Sequence, residues 1–153
     1  MKTSQLLPLF ALLMVFSLFT GCKKDDETPE PSTKEKLVAH NWRGDKVMAM
    51  GMDASTHPIL ASQIPDIKTM VLVFNENNTY TATYSDNGQT IPLSGTWELR
   101  NQDKFIHFDL LASFGLPEQV EIKTLTSSNL VLTTTAQVPV LGPTPLEVHF
   151  IAQ

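Results

Sequence analysis

The 153-residue chain carries 11 Lys and Arg against 16 Asp and Glu, a net charge of -5, with 42% hydrophobic residues, the size and composition of one ordinary domain. Scattered basic residues in an acidic chain offer no positive face, which argues against nucleic-acid binding. A single cysteine excludes intramolecular disulfides, cysteine-rich zinc sites and CxxC redox chemistry by count.

The N-terminus sets the expected location. Lys2 supplies a positive start, and positions 6–19 form an apolar run broken only by Pro8 and Ser17. That run is shorter than the roughly 20 apolar residues a spanning helix needs, and it has the length of a signal peptide. Thr20-Gly21 directly before Cys22 resembles the lipobox of bacterial lipoproteins. The resemblance implies that residues 1–21 are removed and that Cys22 becomes the acylated first residue of the mature protein. The bland alternative is a free cysteine at the end of an ordinary signal peptide. Each buried methylene of an acyl chain adds about 0.8 kcal/mol, so several chains would hold the domain stably on a membrane.

Cleavage removes Lys2 alone among the charged residues, leaving 10 basic against 16 acidic and a net charge of -6. Lys23-Lys24-Asp25-Asp26-Glu27 resembles the export signal of Gram-negative lipoproteins displayed on the outside of the outer membrane, although any solvated tether is charged. With Thr28-Pro29-Glu30-Pro31-Ser32 it makes residues 22–33 a disordered, extended tether, since it holds no apolar content to bury. At about 3.1 Å per residue it would lift the domain roughly 30 Å from the lipid.

From residue 34 onward the pattern is that of an antiparallel sheet. Ser32 or Thr33, with Glu35 or Lys36 and then Leu37-Val38, predicts an N-capped helix of about two turns. Residues 42–50 suit a half-buried first strand. Residues 52–66, with Pro58 and Pro65, form the longest connection and carry a helical turn around 59–63. Strands follow at 67–74 and 79–85. Asp86-Asn87-Gly88 is a strong hairpin signal, because Asn-Gly takes the positive φ angles of a type I′ turn. In the strand at 90–100, Ile91, Leu93, Gly95, Trp97 and Leu99 share the inward parity, and Pro92 predicts an edge or a bulge. Further strands are expected at 104–110, 118–126, 130–135 and 146–151, with 139–145 as a Pro- and Gly-containing connection. The sum is eight strands joined mostly by short turns. An eight-stranded antiparallel up-and-down barrel with a short N-terminal helix follows, because closure removes the two exposed edges. A β-sandwich is the alternative if the long connections let strands switch sheets.

Several motifs carry a family resemblance. Leu37 and Trp42 after the helix, Val73-Phe74-Asn75-Glu76-Asn77-Asn78-Thr79-Tyr80, Ser94-Gly95-Thr96-Trp97-Glu98-Leu99 and Leu125-Thr126-Ser127-Ser128-Asn129-Leu130-Val131-Leu132 are similar to the lipocalin-like domain of small bacterial lipoproteins. The resemblance spans residues 34–153 and implies a lipocalin-like barrel that binds a small molecule. One departure is that Asn41-Trp42 lacks the glycine of the Gly-x-Trp found in true lipocalins.

Catalytic chemistry is sparse. His40, His57, His107 and His149 fall at no spacing that puts two metal ligands on one face. His107 and Asp109 share a strand parity with Phe105, which reads as the outer face of a strand turning Ile106, Phe108 and Leu110 inward. No GxSxG, P-loop, GxGxxG or HExxH occurs. The expectation is a protein that is not an enzyme and uses neither metal nor cofactor. Trp42, Phe74, Tyr80, Tyr84, Trp97, Phe108 and Phe150 fall mainly on the inward parity, so they fill the core and line any ligand site there. A cavity is expected at one mouth, near the 51–66 connection and Phe114-Gly115-Leu116-Pro117, with Met48 beside it as an adaptable thioether. Two readings follow: a lipid-anchored barrel that captures a small apolar or amphipathic ligand, or a filled barrel that docks a protein or glycan through its loops. An apolar interior of about 300 Å³ or more favours the first, and a solid interior the second.

Overall fold

Nine strands, all paired antiparallel, form one sheet that closes on itself in the computed structural model, which describes residues 29–61 and 66–153. The leader, Cys22, the first part of the tether and positions 62–65 lie outside the described residues. The strands are β1 (Asn41–Ala49), β2 (Met52–Asp53), β3 (Val71–Phe74), β4 (Thr79–Asp86), β5 (Gln89–Arg100), β6 (Phe105–Phe108), β7 (Gln119–Leu125), β8 (Asn129–Val138) and β9 (Gly142–Ala152). From β3 to β9 each strand pairs with the next, β1 pairs with β3, and β9 returns to β1 from Trp42–Ala152 to Ala49–Leu146. The barrel therefore has eight walls, and the two-residue β2 is an added strip on β1. A single sheet that meets itself excludes the β-sandwich alternative.

The helix α1 (Thr33–Val38) begins where the sequence predicts and, at six residues, spans a little under the two turns expected. Ser32 Oγ accepts from the Glu35 amide at 3.2 Å, and the Glu35 carboxylate accepts from the Ser32 amide at 2.6 Å. These two bonds satisfy orphan donors at the helix start. Leu37 is wholly buried, and the Trp42 indole N–H donates to its carbonyl at 2.9 Å. Because the last carbonyls of a helix have no partner within it, Trp42 caps α1 from the first barrel strand. Lys34 donates to Asn78 Oδ1 at 2.7 Å, which ties the helix to the β3–β4 turn.

Three segments differ from the sequence expectation. Ile67–Thr69 is a 3-10 turn capped by the Asp66 side chain, so β3 starts only at Val71. The strand expected to reach residue 110 ends at Phe108, and Asp109–Phe114 forms a 3-10 helix closed by Gly115. The expected connection at 139–145 is mostly strand, with β8 running to Val138 and β9 starting at Gly142. Prolines are tolerated there because the β1 ladder ends at Ala49–Leu146, which leaves Pro143 and Pro145 with an open neighbour on that side. Pro92 obeys the same rule, since β6 pairs with β5 only from Trp97 to Arg100. Asn87 and Gly88 take φ of 48° and 78°, as a type I′ turn requires.

Burial follows strand parity. At one end Trp42, Leu72, Phe74, Tyr80, Trp97 and Phe108 form an aromatic plug, with Phe74 edge-on to Trp97 at 5.1 Å and Tyr80 edge-on to Phe108 at 5.7 Å. Its Trp97 indole donates to the carbonyls of Asn75 and Thr79. At the other end a smaller cluster joins Val47, Ala49, Ala54, Leu60, Val138 and Leu146. All strands and both clusters come from the compact unit Pro31–Gln153, so this unit holds what it needs to fold alone.

Candidate functional site

Between the two clusters the barrel holds a partly open cavity of about 180 Å³. Its walls come mainly from alternate residues of three neighbouring strands, Val47 on β1, Leu132, Thr134 and Ala136 on β8, and Leu146, Val148 and Phe150 on β9, with Leu72 on β3, Phe108 on β6 and Val120 on β7 completing them. Two connections cap it. One brings Leu60 and Ile67, and the other brings Leu111, Phe114 and Leu116. Both connections marked in the sequence thus contribute to the lining.

Each cap is held by a polar side chain. His57 Nδ1 accepts from the amides of Ile59 and Leu60, at 3.3 and 3.4 Å, and shapes the turn that buries Leu60. The Tyr80 hydroxyl donates to Asp109 Oδ1 at 2.6 Å and pins the start of the 3-10 helix to β4. Gly95 leaves room for this bond, because a Cβ there would stand 2.9 Å from the Tyr80 ring and collide with the Asp109 carboxylate. Phe114, at the far end of that helix, packs edge-on against Tyr84 at 5.4 Å.

The Tyr80 phenol is pushed well above its ordinary value, first by burial and then by the hydrogen bond to Asp109 and that group's charge. A raised folded-state pKa gives stability that is complete below the unfolded value of 10.0 and declines as pH rises past it. Urea midpoints measured at pH 9 and pH 11 should therefore fall further for the native protein than for Tyr80→Phe. Equal losses in both would remove this account.

The aromatic side chains expected to line a ligand site divide into two groups. Phe108, Phe114 and Phe150 face the cavity. Trp42, Phe74, Tyr80 and Trp97 are buried in the plug beneath it, and Tyr84 backs Phe114. Met48 is turned the other way. A bulge between Gly44 and Lys46 shifts the β1 register, so Val47 and Ala49 point inward while Met48 takes the outer parity. Cys22, the expected lipidation site, lies outside the described residues.

The aliphatic lining, Leu60, Leu132 and Val148 above all, escaped a reading weighted toward aromatic rings. The inward alternation Leu132, Thr134, Ala136 along β8 carried that signal. The histidines are dispersed: His40 is edge-on to Trp42, while His107 and His149 face Glu118 and Glu147 at 3.6 and 3.5 Å. Among the described residues no group of three side chains is placed to hold a metal ion. Asp109 leaves the face of His107 because the strand ends between them.

The family model for the lipocalin-like domain matches residues 38–132, which is 95 of the 153 positions. The chain belongs to the lipocalin-like domain family. Among solved structures, this lipocalin-like chain is similar to bovine odorant binding protein in complex with a selenium-containing odorant, at 15% identity and a TM-score of 0.48, covering 84% of this chain and 76% of that one. The same bovine protein in complex with undecanal gives 15% identity and a TM-score of 0.47, covering 84% and 77%. Among curated proteins none matches.

Proposed function

We propose that this lipocalin-like barrel captures a small apolar molecule in the cavity between its two clusters, on a domain held at the outer membrane, and displayed at the cell surface, by acyl chains on Cys22. The observation that carries the capture reading is the cavity itself: a partly open space of about 180 Å³ with mainly aliphatic and aromatic walls and two capping connections. Protein interiors are close-packed, so a void of this size in a small barrel departs from simple core filling. An apolar cavity of about 150 Å³ suffices for a benzene-sized guest. The volume is below the roughly 300 Å³ of common ligand pockets, so the guest is small or the caps at Leu60 and Phe114 open to admit more. The alternative, docking through loops, starts from a solid interior, which the cavity argues against.

Toluene tests the capture reading. Titrated into the unit Pro31–Gln153, it should shift the methyl NMR signals of Leu60, Leu132 and Val148 saturably, and absence of any shift there would end this proposal. The anchor has its own test, supported by the leader, the lipobox resemblance and the acidic tether. Cys22→Ala in the full chain should move the protein from the membrane fraction to the soluble fraction of a Gram-negative cell. Unchanged partition with outer-membrane lipid would show that no acyl chain on this residue holds it.

A further inference from the structure

Within that apolar lining one hydroxyl has no partner. Thr134 sits at an inward position of β8, between Leu132 and Ala136 and opposite Leu146 on β9. Its Oγ1 is buried, and no described residue hydrogen-bonds to it. Its neighbours differ: Thr133 donates to Glu121 at 3.3 Å on the outer face, and Thr135 is exposed. Thr144, also buried on β9, donates its hydroxyl to the Gly142 carbonyl at 3.2 Å. A buried hydroxyl left unpaired costs stability that an isosteric valine would not. Among the described residues no Lys, Arg or His lines the cavity to meet an anion, and a carboxylate taken into such a space without a cation would lose its hydration uncompensated.

We propose, resting on the capture reading, that the ligand is a neutral apolar molecule bearing one carbonyl or hydroxyl oxygen, and that the Thr134 hydroxyl, whose oxygen is covered in the empty barrel, turns about χ1 toward the cavity and hydrogen-bonds to that oxygen. The hydroxyl selects among guests of equal shape, because a guest with a matching oxygen satisfies it and a hydrocarbon leaves it bare. It takes no part in holding the barrel together.

Acetophenone and α-methylstyrene form a matched pair of probes, differing only in C=O against C=CH2. Calorimetric affinities for both are compared in the native Pro31–Gln153 unit, in Thr134→Val and in Thr134→Ser. The ratio of acetophenone to α-methylstyrene affinity should fall about fivefold in Thr134→Val, the share of one neutral hydrogen bond. Thr134→Ser should keep the native ratio. Benzoate should not bind. The melting temperature of ligand-free Thr134→Val should equal or exceed the native one. An unchanged ratio, benzoate binding, or a marked fall in that melting temperature would each overturn the role given to Thr134. If the native unit binds neither neutral probe, the capture reading falls with it, whereas binding of both with an unchanged ratio removes the Thr134 proposal alone.

Discussion

Trp42→Ala is expected to destabilise the domain by about 3–5 kcal/mol, the range for truncating a large buried ring. The side chain is fully buried in the aromatic plug, and its indole N–H is the donor on the Leu37 carbonyl at 2.9 Å. Removing it opens a void at the closed end and also frees α1, which lies against β3 and β7. Against the roughly 5–15 kcal/mol that a domain of this kind has in total, the loss is a large fraction of its stability. Trp42→Phe separates the two contributions. It keeps most of the packing but leaves the carbonyl without its donor, so it should cost about 1–3 kcal/mol. Urea unfolding followed by the fluorescence of Trp97 measures both. A cost below about 1 kcal/mol for Trp42→Ala would mean that the helix and plug hold without the indole.

Val148→Phe is expected to weaken toluene binding at least tenfold while changing stability by no more than about 1–2 kcal/mol, because the added ring enters existing space and gains contacts there. Val148 sits in the middle of β9, paired with Val47 on one side and Leu132 on the other. It faces inward, yet it is not fully buried, since the cavity lies against it. A benzyl group from this wall occupies the volume a guest would take. Toluene affinity equal to that of the native protein would place the binding site elsewhere. A drop in stability well beyond the stated range would instead mean that the wall does not accept the ring, and Ala136→Leu then provides a smaller obstruction from the neighbouring strand.

Much of this barrel is legible from alternation alone. In β5 the inward series Ile91, Leu93, Gly95, Trp97, Leu99 and the outward series Thr90, Ser94, Thr96, Glu98 match the buried and exposed faces, with Pro92 on the unpaired edge. Asn87-Gly88 fixes a turn by φ preference, a property of two residues that needs no distant partner. The Ser32–Glu35 capping box is equally local. Where the expectation failed, a distant contact decided. Met48 shares the simple alternation of Trp42 and Gly44 but takes the outer parity, because the bulge between Gly44 and Lys46 in the pairing with β9 changes the register. The strand expected at 104–110 ends at Phe108, where Asp109 opens a 3-10 helix and accepts a hydrogen bond from Tyr80, 29 positions away.

The candidate site divides in the same way. Parity and the two long connections named the end of the barrel at which space is left, because period-two alternation and the scarcity of turn signals are written into the chain itself. Which rings fill and which rings line was decided only in three dimensions. Trp42, Phe74, Tyr80 and Trp97 share the inward parity of Phe108 and Phe150, but they stack at the end that α1 closes. The lone hydroxyl of Thr134 stands in a run of three threonines that look alike in sequence. Only closure of β9 onto β1 makes the middle one face an apolar interior, because the barrel gives opposite environments to adjacent residues and leaves the Thr134 hydroxyl without a hydrogen-bond partner among the described residues. Local conformational preference and side-chain alternation thus determined the strands and their faces, while the depth of each residue along the barrel, and with it the cavity, was decided by pairings between segments far apart in the chain.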